Sequence, residues 1–145
     1  DQKRIYIFDV GGPHTFRTIY MDGREHPKDL VPSYYGHNIG HWEGDTLVID
    51  VTGFNGHQWL DRAGNFLSDT AHVVERWTPR GRDHMMYEAT IEDPAIFTRP
   101  WKISFPVYRR LEPNIQLLEF NCVPFVEEMM YTPLGLYNPP NRSSR

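Results

Sequence analysis

The stretch at residues 36–55, GHNIGHWEGDTLVIDVTGFN, decides the fold. Gly40, His41 and Trp42 lead into Glu43-Gly44, and a β-rich run follows. In that run Leu47, Ile49 and Val51 alternate with Thr46, Val48, Asp50 and Thr52. Apolar and polar residues that alternate on both sides of a glycine turn make a hairpin with one buried face. The stretch therefore predicts antiparallel sheet.

Working outward, residues 3–10 (KRIYIFDV) and 15–21 (TFRTIYM) form a first pair of strands, broken by Gly11-Gly12-Pro13 and closed by the turn pair Asp22-Gly23. Residues 25–33 carry two prolines and read as an extended loop. Residues 71–78 (AHVVERWT) and 84–92 (HMMYEATIE) flank a third turn near Gly81, and Asp93-Pro94 ends that strand. Residues 101–110 and 115–122 flank a fourth turn at Glu112-Pro113-Asn114. Residues 54–70 are irregular, 125–131 suit a short helical turn, and the proline-rich tail 132–145 has little to bury. About eight strands with no crossover helix predict an all-β antiparallel meander, closed or nearly closed as a barrel so that no long edge stays open. The expected organisation is one barrel domain over residues 1–131, followed by the tail.

Composition narrows the function classes. The chain has 145 residues, enough for one domain with a core. Aromatics make up 14% of it against 39% hydrophobic overall, so large side chains carry the core. A net charge of −4, with no basic tract, gives no general attraction to nucleic acid. No apolar run approaches the length of a membrane span. The single cysteine, Cys122, forms no internal disulfide and has no adjacent histidine to activate it. The chain opens on Asp-Gln-Lys-Arg rather than Met and is expected to be a processed or truncated product.

The segments YGHNIGHWEGDTLVIDVTGFN, WLDRAGNF, HVVERW and DPAIFTRPW resemble a family of uncharacterised secreted bacterial proteins, and the GHWEGDTL hairpin resembles those of lipocalin-like (calycin-type) barrels. The resemblance covers most of the chain. It implies a lipocalin-like barrel in the periplasm or outside the cell, its signal removed, and a chain lacking the first part of the family's usual length. It implies no activity.

Chemistry is sought among polar residues in apolar settings. In the strand that begins at His72, one face carries His72, Val74 and Arg76, and the other Ala71, Val73, Glu75 and Trp77. Whichever face turns inward buries a titratable group, which needs a partner. His72, Glu75 and Asp69 are the candidate proton-transfer residues. Trp59, Asp61, Arg76, Trp101 and Glu119 are the candidate ligand contacts: Trp59 to cover the ligand, Arg76 to hold an anionic group, Trp101 as a large indole near a loop, and Glu119 as a carboxylate in LLEFNC. Seven histidines offer no Cys-x-x-Cys, His-x-His or His-Glu-x-x-His pattern. His37 and His41 are four apart, which on a strand separates them by about 13 Å. No metal and no cofactor are expected; a metal assembled from separate strands would draw on His37, His41 and His72. His14, His26, His57 and His84 sit beside Pro, Gly or Asp in expected turns.

The leading expectation is an extracytoplasmic β-barrel that binds, and in an enzymatic version transforms, a small organic molecule. Its partners are that ligand, neither nucleic acid nor a membrane span, with a homo-oligomer or larger assembly left open. The alternatives are a non-catalytic structural or interaction subunit and a metal-dependent enzyme with histidine ligands from separate strands.

Overall fold

The computed structural model describes residues 3–9, 15–61, 63–116 and 133. Among them, seven strands form one curled sheet, a half-barrel with almost no helix: β1 (Arg4–Phe8), β2 (Phe16–Tyr20), β3 (His37–Glu43), β4 (Thr46–Thr52), β5 (His72–Pro79), β6 (His84–Glu92) and β7 (Trp101–Tyr108). They lie in the sheet in chain order. The expected all-β architecture is present. The second strand of the fourth hairpin beyond residue 116, the helical turn at 125–131 and almost all of the tail lie outside the described residues.

The β3–β4 hairpin follows from its sequence. Glu43 pairs with Thr46, so Gly44-Asp45 is a two-residue loop. Gly44 has φ +60°, the conformation that a type II′ turn requires at its first central position and that glycine reaches without strain. The pairing then runs from Trp42 with Leu47 to His37 with Thr52. β5 and β6 pair on either side of Gly81 as expected, from His72 with Glu92 to Pro79 with Met85.

One junction departs from the meander. β2 and β3 run parallel and are paired at two positions, Ile19 with Asn38 and Tyr20 with Ile39. A parallel neighbour requires the chain to return to the starting end, and residues 21–36 do so as a strap. The strap is anchored at its far end by backbone: Ser33 N–H donates to the Gly53 carbonyl at 3.0 Å, and Asn55 N–H to the Ser33 carbonyl at 3.0 Å. Leu30 packs on Gly53.

Strand alternation sorts the two faces of the sheet. Inward lie Ile19, Ile49, Val51, Val73, Ala89 and Ile91, all buried. Phe54, Leu67 and Ala71, from the irregular connection between β4 and β5, join the same cluster. That connection thus covers part of the inner face. A buried Asp93 ties it down, accepting hydrogen bonds from the backbone N–H and the hydroxyl of Ser68 at 2.6 and 2.7 Å.

Candidate functional site

Among the described residues, the inner face carries a cluster of charge around Glu75. On β5, Glu75 shares its face with Val73 and Trp77 and is 5% exposed. Its partner comes from β2: Arg17 Nη1 donates to Glu75 Oε1 at 2.9 Å. The other guanidinium nitrogen, Nη2, donates to Asn38 Oδ1 at 2.6 Å. Asn38 is itself fixed by donating to the carbonyls of Tyr35 and Gly36 at 3.0 and 3.2 Å. Trp77 Nε1 donates to the second Glu75 oxygen at 3.2 Å. The carboxylate thus meets its opposite charge and one further donor, which makes a buried ion pair tolerable. Nearby on β6, burial and then the negative charge of Glu75 push the Tyr87 hydroxyl well above the usual tyrosine range, so it is a neutral hydroxyl at physiological pH.

Beside this pair lies a cavity of about 220 Å³. Its apolar wall includes Val51, Phe54, Leu67, Val73, Ile91 and Ile103, and its polar lining includes Arg17, Glu75, Tyr87 and Gln58. Both polar side-chain atoms of Gln58 are buried and have no hydrogen-bond partner among the described residues. A groove of about 550 Å³ lies between β2 and the strap; Arg17, Tyr34 and Tyr35 line both spaces. Tyr35 donates to Asp9 at 3.0 Å, and burial, then that carboxylate, raise its pKa.

The sequence-derived candidates are distributed over different surfaces. Glu75 points inward to the cavity, and Trp59, 75% exposed, stands at its margin. His72 and Arg76 alternate to the outer face, so neither joins Glu75. Asp69 is exposed in a turn before β5. Arg76 donates to Glu43 at 2.7 Å across the outer surface. Asp61 accepts from the backbone N–H groups of Ala63 and Asn65 and from the Asn65 side chain at 2.8, 3.2 and 2.6 Å. The Asn65 side chain in particular holds its carboxyl below the usual range, so Asp61 shapes its own turn. Trp101 packs edge-on against Phe97 with ring centres 5.4 Å apart, at the end of β7 rather than in the cavity wall. Glu119 and Cys122 lie outside the described residues.

Arg17, Asn38, Tyr87 and Gln58 were not singled out from the sequence. The alternation of RTIY in β2 puts Arg17 on the same face as Ile19, which was a readable signal for a buried arginine.

The outer face holds a second polar cluster. Asp50 Oδ1 is 3.0 Å from both His26 Nε2 and His72 Nε2. His26 Nδ1 is 2.8 Å from His37 Nδ1, and Tyr20 stacks on the His37 ring with centres 5.1 Å apart. His41 is apart from this cluster, beside Glu43 at 3.2 Å. Among the described residues, no three His, Cys, Asp or Glu side chains surround a common point in the way a bound metal requires. No helix among them is long and apolar enough to cross a membrane.

The chain matches no family profile, and no curated protein or solved structure matches it.

Proposed function

We propose that the inner-face cavity binds a small, uncharged and largely apolar organic molecule. The supporting observation is a cavity with mostly apolar walls in which, among the described residues, the charges of Arg17 and Glu75 are already paired with each other. Arg17 is engaged by Glu75 and Asn38, and Glu75 by Arg17 and Trp77. A charged ligand would lose its hydration there and find no unengaged counter-charge. An apolar ligand gains by leaving water, at roughly 25 cal/mol per Å² buried. The proposed roles follow: Val73, Ile91 and Ile103 supply contact area, the unpartnered Gln58 amide meets a polar end, and Trp59 covers the margin. The resemblance to secreted barrels supports an extracytoplasmic setting for such binding, which cell fractionation checks.

The test is calorimetric titration with naphthalene and with 2-naphthoate, which share a ring system and differ in charge. Naphthalene is expected to bind and 2-naphthoate to bind at least about tenfold more weakly, the cost of an unpaired buried charge being well above the 1.4 kcal/mol that a factor of ten represents. Ile103→Trp, which fills the cavity from β7, should abolish naphthalene binding. Equal affinity for the two probes, or naphthalene binding untouched by Ile103→Trp, counts against the reading.

A further inference from the structure

The outer-face histidines join five strands and the strap through a chain whose proton count is fixed by geometry. His26, on the strap, approaches His37 of β3 nitrogen to nitrogen at 2.8 Å, a separation that holds one proton. Its other nitrogen is 3.0 Å from Asp50 of β4. With both rings neutral, His37 donates to His26 and His26 donates to Asp50. One excess proton is also accommodated: a charged His26 donates to neutral His37 on one side and to Asp50 on the other. A second proton is not, because two N–H groups and two positive charges would then face each other across the same gap.

We propose that this His37–His26–Asp50 chain is a proton-operated latch that holds the strap to the sheet with at most one excess proton and releases it on taking a second. Among the described residues, the hydrogen bonds of His26 are the side-chain hydrogen bonds linking residues 23–32 to the sheet. Those of Arg24 go to Asp22 on the strap itself. Losing them leaves residues 23–32 with no side-chain hydrogen bond to the sheet among the described residues, held by Arg24 over the Tyr20 ring and by Leu30 on Gly53.

The groups facing the latch set when it opens. His72 of β5 shares the Asp50 oxygen, and Glu92 of β6 lies 3.9 Å from the other His72 nitrogen. Tyr20 of β2 covers His37, with Arg24 4.0 Å and Arg4 of β1 5.2 Å from its ring centre. Asp50 and Glu92 are the carboxylates that face this chain. Burial, then the His26 charge, then Arg24 oppose the second proton, and hold His37 below the ordinary histidine range. The latch is therefore shut at neutral pH and opens under mildly acidic conditions, as histidine clusters do in acid-triggered switches. Leu30, Val31, Tyr34 and Tyr35 of the strap form one wall of the 550 Å³ groove, so the latch borders that groove. The inference stands independently of what the inner cavity binds.

Hydrogen exchange followed by mass spectrometry, corrected for intrinsic rates, tests this on peptides covering residues 22–35. Their protection should fall by roughly tenfold or more between pH 7.5 and pH 5, while β4–β6 stay protected. His26→Gln keeps hydrogen-bonding capacity but takes no proton, and should flatten the response. His57→Gln, in the connection between β4 and β5, should leave it intact. Ring ¹⁵N spectra of the unmodified protein give a second readout, in which His37 stays neutral for as long as the strap is protected. Full protonation of both His26 and His37 with the strap still protected would overturn the latch. So would an undiminished pH response in His26→Gln.

Discussion

Glu75 is where one side chain carries the largest energetic consequence. Truncating one partner of a buried pair leaves the other charge unpaired. Glu75→Gln leaves Arg17 facing a neutral amide and should cost about 3 kcal/mol in urea denaturation. Arg17→Met combined with Glu75→Leu removes both charges and should recover most of that loss, since buried ion pairs replaced by apolar side chains are often neutral or better. If the double variant is less stable than Glu75→Gln alone, the pair contributes more than its charges. Asp93 is the second such position. It is 2% exposed and accepts two hydrogen bonds from Ser68, so Asp93→Ala should lower stability by about 2–4 kcal/mol and loosen the connection between β4 and β5. The sequence narrowed the buried group on β5 to Glu75 or the His72–Arg76 face, because strand alternation assigns faces without saying which is inner. Its partner was out of reach: Arg17 lies 58 positions away, and no local pattern records a contact made by sheet curvature.

At the scale of elements, Gly36 marks the joint where the strap becomes β3. It has φ +61°, and a Cβ built there would lie 2.5 Å from the Thr52 carbonyl oxygen. Gly36→Ala therefore meets both a disfavoured backbone conformation and a backbone atom that cannot move aside. A loss of about 2–4 kcal/mol by thermal or urea unfolding is expected. Gly44→Ala, with φ +60° but nothing within 4 Å of its added carbon, should cost less, about 1 kcal/mol. If the two variants lose the same amount, steric contact at Gly36 plays no part. The β3–β4 and β5–β6 hairpins were legible because turn glycine and alternating strands are neighbours in sequence. The parallel β2–β3 junction was not, because a proline-containing connection reads as loop whichever edge it returns to. The histidine latch was hidden for the same reason. His26 reads as a turn residue, and its partners His37 and Asp50 come from separate strands.

For the molecule as a whole, acid sensitivity should come in part from the outer face. His37 has a lowered pKa in the fold, so the unfolded chain takes up its proton first. The stability this gives is complete above about pH 6.5 and is lost as the pH falls from there through the folded value. Urea midpoints measured from pH 8 to pH 5 should decline through this range, and His37→Phe should shrink the decline; an unchanged slope in that variant would assign the acid sensitivity to other groups. The sheet's pairing pattern also sets an order of assembly. From β3 to β7 every strand pairs with its chain neighbour along most of its length, whereas β2 meets β3 at only two positions. Local pairings close small loops and form early; the Arg17–Glu75 contact must wait for a long one. The β3–β7 unit is thus expected to nucleate folding, with the β1–β2 hairpin docking late and detaching first. Substitutions in β1 and β2 should chiefly speed unfolding, whereas those at Ile49 or Val73 should slow folding as well.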